Sequence, residues 1–124
     1  MPRGSLAVAN VAIRLGYGVA ALVAPSKPLL GKVPLAPDTD ELPEARLFIR
    51  GFAAHQIVVA LVGLASLGDR DRRRAAMLLA AATDLADILS AAIEARARGG
   101  VDADLRDGIV FSSAGLLSAL AAAG

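Results

Sequence analysis

Apolar residues along this chain gather into four runs separated by polar stretches. Each run is about 16–23 residues long, close to the roughly 20 that span hydrocarbon as a helix. The first extends from about Leu6 to Ala24 and stops at Pro25, because the residue before a proline is pushed out of the helical region. Residues 25–43 then carry five of the six prolines together with Lys27, Lys32, Asp38, Asp40 and Glu41, the composition of a solvent-facing loop. The second run, from about Ala45 to Leu67, contains Arg46, Arg50, His55 and Gln56. Gly68 and the stretch Asp69 to Arg74 read as a tight charged turn, a solvated loop that can also meet anionic lipid. The third run, from about Ala75 to Ala95, holds Asp84 and Asp87 with Glu94 at its end, and Arg96, Arg98, Gly99 and Gly100 close it. Val101 to Asp107 lead into a short fourth run, about Gly108 to Ala123, with Ser112, Ser113 and Ser118. Short connections make sequential neighbours antiparallel, so the pattern predicts an all-α fold: a four-helix up-down-up-down transmembrane bundle forming one domain over residues 1–124.

Composition sharpens this picture. Hydrophobic residues make up 56% of the chain and aromatic ones 3%, so the apolar content is small and aliphatic. A soluble domain of 124 residues must cover much of its surface with charge, yet charged residues are 20% and clustered, and the mean hydropathy is +0.58. The expected location is therefore the cell membrane, as a multi-pass protein in contact with the lipid bilayer; the rival is a soluble Ala-rich helical bundle. Asn10 and Arg14 interrupt the apolar centre that a cleavable signal needs, so the first run reads as a retained span. Gly16, Gly18, Gly51, Gly63 and Ala80 to Ala82 allow the close helix approach on which association in lipid depends. A net charge of +1 without a basic tail argues against a nucleic-acid partner. With one His and no Cys, no metal motif is present, and no phosphate loop or dinucleotide fingerprint implies a cofactor.

The charges inside the runs matter most. An Asp at a helix centre costs about 2.5–3.5 kcal/mol on insertion scales, and each Leu or Ile offsets only about 0.3–0.6. The third run therefore does not insert favourably alone; Asp84 and Asp87 have to be neutralised, solvated or paired, and Arg14 and Arg50 pose the same problem with opposite sign, which placing them together inside the bundle answers most simply. At about 1.5 Å per residue, Arg14, His55 and Asp84 fall near one level at mid-membrane, with Arg50 and Asp87 nearer one face. At about 100° per residue, Asn10, Arg14 and Tyr17 share one face of the first helix beside Gly18 and Ala21. Asp84, Asp87, Ala91 and Glu94 share a face of the third. His55 is turned about 140° from Arg50, so one straight helix cannot present both to a single point.

Two carboxylates one turn apart can share a proton, one acting as acid and the other as base, while a nearby Arg holds an anionic group. On this basis Asp84 and Asp87 are the candidate acid/base pair and His55 an auxiliary proton carrier. Arg14, Arg50, Tyr17 and Asn10 are the candidate ligand-binding residues. Gln56 and the serines of the fourth run read as interhelical hydrogen-bond donors. The expected function is a membrane protein whose buried polar pocket binds a small lipophilic ligand and has the groups to transform it by acid–base chemistry. Two alternatives stand beside it. One is a non-catalytic subunit of a larger membrane complex whose charges are structural, and the other is a small transporter assembled as a homo-oligomer.

The chain also resembles a group of small four-span integral membrane proteins of high-GC bacteria, whose function is uncharacterised. The resemblance is carried by I-R-L-G-Y-G at 13–18, L-V-A-P at 22–25, R-x-x-x-R-G-F-A-A-H-Q at 46–56 and T-D-L-A-D at 83–87. It covers most of the chain, and implies the four-span topology and the importance of Arg14, Arg50 and Asp84 without implying an activity.

Overall fold

A computed structural model describes residues 2–23, 43–101 and 103–124, apart from the side chains of 43–46, 48, 49, 103 and 104. Four helices make up the described chain: α1 (Arg3–Val23), α2 (Pro43–Ser66), α3 (Arg70–Arg98) and α4 (Ala103–Ala123), with no strand among the described residues. The proline-rich loop expected over 25–43 lies outside them except for Pro43, which starts α2. The Arg46 side chain lies outside them as well.

The two largest boundary differences are at the starts of α3 and α4, and the first follows from capping. The charged stretch 69–74 is not all turn: Asp69 is extended at φ −123° and ψ 128° and accepts the Arg72 backbone N–H at 2.8 Å, so α3 already begins at Arg70. An N-cap aspartate satisfies an orphan donor, and Asp71 in the first turn suits the positive end of the helix dipole. At the other end Arg96 and Arg98 occupy the last turn, and Gly99 closes it at φ 78°, a left-handed conformation that favours glycine. α4 starts at Ala103, five residues ahead of the expected Gly108, so most of the supposed connection is helical.

Three described helices are long and apolar enough to cross a membrane: Arg3–Val23, Arg70–Arg98 and the stretch Leu105–Ala123. α2 contributes a shorter apolar stretch, Arg50–Ser66. By length and composition, then, this is a membrane protein.

Packing runs mainly between α1 and α2 and between α3 and α4, with lesser contact of α1 on α4 and of α2 on α3. The interior is built from small residues. Ala7, Ala21, Ala53, Ala60, Ala80, Ala81, Ala119 and Ala122 are buried, and Met77 is the one long aliphatic side chain fully enclosed among the described residues. A Cβ on Gly18 would lie 3.0 Å from the Ala53 carbonyl oxygen, and one on Gly63 would lie 2.6 Å from Val11 Cγ2, so these glycines set how near α1 and α2 approach. The large aliphatics face outward instead, as with Ile13 at 60% and Leu117 at 67% exposure. Arg14 and Asp84, at 5% and 2%, are inside. A water-soluble fold does the reverse; apolar outside and charge inside is the distribution that lipid favours.

Candidate functional site

At the centre of the molecule the Arg14 guanidinium reaches from α1 to α3 and forms a two-pronged ion pair with Asp84. Nη2 meets Oδ2, and Nη1 donates to Oδ1 at 3.2 Å. The rest of the fork is equally occupied. Nε donates to Asn10 Oδ1 at 2.8 Å, Nη1 also to Gln56 Oε1 at 2.8 Å, and Nη2 also to the Ala80 carbonyl at 3.4 Å. A guanidinium has five N–H donors, and here five acceptors meet them. Asn10 continues the network to α4, donating to Ser118 Oγ at 2.7 Å and to the Gly115 carbonyl at 3.4 Å, while Ser118 Oγ donates to the Gly115 carbonyl at 2.9 Å. All four helices are thus tied through one buried charge pair.

Gly115 explains how α4 comes so close. A Cβ at that position would stand 2.7 Å from Asp84 Oδ2 and 3.0 Å from its Cγ, so only a glycine leaves room for the carboxylate against the α4 backbone. Gln56, one of the two largest fully buried side chains, presents its carbonyl to Arg14. It is an acceptor in this contact, where the sequence suggested a donor. Sequence reasoning left Gln56, Gly115 and Ser118 out of the site, although a signal existed. Ala53, Gln56, Ala60 and Gly63 fall at helical spacing on one buried face of α2, and Ser112, Ala119 and Ala122, with half-buried Gly115, fall at the same spacing on α4.

A second polar group lies beside the pair. Asp87, one turn along α3, is half-buried, and its Oδ2 is enclosed without a hydrogen-bond partner. Asp84, Arg14 and His55 are near enough to act on it electrostatically, and Asp87 acts in turn on Tyr17. The Tyr17 ring packs edge-on to Phe52 with centroids 6.1 Å apart and tilted over Phe111 at 4.7 Å, forming an aromatic wall. His55 is on the exposed side of α2, away from the Arg14 fork.

The expected sites therefore separate. Asn10, Arg14 and Asp84 converge as the charge balance required. Tyr17 and His55 lie within electrostatic reach of Asp87, and His55 is exposed. The expectation that Arg50 joins the aspartates inside is corrected: Arg50 is exposed, and its Nε donates to the Leu22 carbonyl at 3.3 Å. That carbonyl belongs to the last turn of α1, where backbone acceptors lack helical donors, so the guanidinium meets a local need instead. Both Asp84 oxygens are engaged by Arg14, which leaves Asp87 as the carboxylate with unused acceptor capacity. Among the described residues no group of three or more His, Asp or Glu side chains gathers as a metal site. Comparison of the chain with protein families, curated proteins and solved structures gives no match.

Proposed function

We propose that the chain is a four-span protein of the cell membrane, with helices arranged up-down-up-down, that binds a small lipophilic molecule through Asp87. The topology is supported by register. Gly18 lies at Ala53 and Ile57 while Val11 lies at Gly63, so numbers rise along α1 as they fall along α2, and Asn10 lies at Gly115 and Ser118 while Arg3 lies at Gly124, so α4 runs antiparallel to α1 as well. α2 is 24 residues long, about 36 Å as a helix, enough to cross with the others.

The observation that carries the binding reading is the buried, partnerless Oδ2 of Asp87. Buried polar atoms in native proteins nearly always have partners, and an orphan next to a fully satisfied network is where a ligand's donor would be accommodated. The ligand class follows from the surroundings: an apolar body against Tyr17, Phe52 and Phe111, with a hydroxyl, amine or ammonium end directed at Asp87. The pocket reading thus narrows from the whole Arg/Asp group to one carboxylate. Acid–base turnover, where it occurs, falls to Asp87 with His55 as proton carrier, since Asp84 is held by Arg14. A second reading, a non-catalytic subunit whose charges are structural, is favoured by the complete internal satisfaction of Arg14.

Native mass spectrometry of protein released gently from membranes separates the two. A small molecule retained by the wild type and lost from Asp87→Asn, with unchanged melting, is the expected result. An empty wild type that carries a stoichiometric protein partner makes the chain a subunit and removes the ligand reading.

A further inference from the structure

At the end of the molecule where α1 and α3 begin and α4 finishes, a cleft of about 100 Å³ is lined by Arg3, Arg70, Arg73 and Arg74, with Asp71 and the last residues of α4. Four guanidiniums face the Asp71 carboxylate and the Gly124 chain end, so positive charge is still in excess. Arg70, Arg73 and Arg74 follow the spacing that puts side chains on one helical face. Arg73 is fixed by donating from Nη1 to the Leu67 carbonyl at 3.3 Å, and the same nitrogen stands 3.8 Å from where a Cβ on Gly4 of α1 would be. Among the described residues none of the four arginines forms an ion pair, whereas arginines toward the far end do: Arg98 with Glu94 at 2.8 Å and Arg106 with Asp107 at 3.4 Å. Like charges gathered in one cleft repel unless an anion joins them.

Guanidinium forks match phosphate oxygens in pairs, so the chemistry is that of a phosphate. Position indicates its source. Arg3 opens one apolar stretch and Ala123 closes another, which puts the cleft at the level of lipid head groups, and the exposed Leu117 and Leu120 continue from it along α4 as a surface for acyl chains. We propose that this cleft binds the phosphate of an anionic lipid head group. The inference rests on the membrane reading but not on a ligand at Asp87, which lies elsewhere on α3.

The test titrates detergent-purified protein with dioleoylphosphatidylglycerol or dioleoylphosphatidylcholine and counts retained lipid by native mass spectrometry. Arg70→Gln/Arg74→Gln is compared with the charge-matched Arg96→Gln/Arg106→Gln, and melting of each variant confirms that it folds. The wild type is expected to prefer the glycerol lipid by roughly tenfold or more, the first variant to lose that preference and the second to keep it. Should the double variant fail to fold, the exposed Arg74→Gln alone is expected to weaken the preference by a few fold. A second arm adds inorganic phosphate without lipid. Saturable protection of the wild type but not of Arg70→Gln/Arg74→Gln, with no lipid preference, assigns the same cleft to a soluble phosphate. Equal losses in the two charge-matched variants, or neither lipid preference nor phosphate protection, overturn the proposal.

Discussion

Asp84 and Asp87 sit one turn apart on α3, yet the first has both oxygens on a guanidinium and the second has an enclosed oxygen that meets no donor. The difference arises from what faces each turn of the helix. Opposite Asp84 stand Arg14 from α1, itself held by Gln56 of α2, and the bare backbone of Gly115 on α4. Opposite Asp87 the neighbours are Tyr17, whose ring is packed between Phe52 and Phe111, and His55, which faces outward. One carboxylate is therefore part of what holds the helices together, and the other keeps an enclosed oxygen without a hydrogen-bond partner. Intramembrane charge is costly wherever it sits, and at Asp84 it is offset by a direct ion pair that Asp87 lacks.

The largest effect expected from breaking this contrast is at Asp84. Asp84→Asn leaves Arg14 charged and enclosed without a counter-ion, and truncating one partner of a buried pair costs about 3–5 kcal/mol. Thermal unfolding in detergent, followed by circular dichroism, is expected to drop sharply. The double variant Arg14→Gln/Asp84→Asn, which removes both charges, is expected to recover part of the loss. A double variant no more stable than the single one would mean that hydrogen bonding, not charge compensation, holds the site.

Next comes Gly115→Ala, which adds a methyl 2.7 Å from Asp84 Oδ2. Overpacking of a close contact costs about 1–3 kcal/mol, and relief here requires either the ion pair or α4 to shift. The matched control is Gly16→Ala on the exposed side of α1, where an added Cβ meets nothing within 4 Å. It is expected to be neutral or stabilising by up to about 1 kcal/mol, since glycine is a poor helix interior residue.

These two substitutions also mark how far the sequence could be read. The pairing of Arg14 with Asp84 was legible because an apolar run with two aspartates has to find compensating charge, and α1 offers Arg14 at the same depth on a polar face with Asn10. The helices themselves followed from run length, and their ends were misjudged where charged residues extend a helix beyond its apolar part, as at Arg70 to Arg74. Arg50 was misplaced because charge balance says which charges need partners but not that an unmet helix-end carbonyl nearby can serve. Gln56 and Gly115 were missed for a different reason: their importance depends on which face of α2 and α4 turns inward, and in Ala- and Leu-rich helices the apolar pattern fixes that face weakly.

A smaller effect is expected at Arg50. Arg50→Gln removes one exposed hydrogen bond to the α1 end, and an exposed charged contact is worth less than about 1 kcal/mol. A loss comparable with that of Asp84→Asn, measured by the same unfolding transition, would return Arg50 to the central network.

The smallest change in stability, and the most informative, is expected three residues beyond Asp84. Asp87→Asn removes a charge whose enclosed Oδ2 has no partner, so no hydrogen bond of that oxygen is broken; only electrostatic attraction to Arg14 and His55 is lost, and the amide is easier to enclose than a carboxylate. Melting should move by no more than the equivalent of about 0.5 kcal/mol, or rise. The same chemical substitution one turn away thus has opposite consequences: at Asp84 it dismantles the charge pair that ties the helices, and at Asp87 it leaves the protein folded while removing the acceptor that a ligand would use. Should Asp87→Asn destabilise as strongly as Asp84→Asn, Asp87 carries structural contacts of its own. The contrast between a locking carboxylate and a binding one then disappears, and with it the reason to seek a ligand at Asp87.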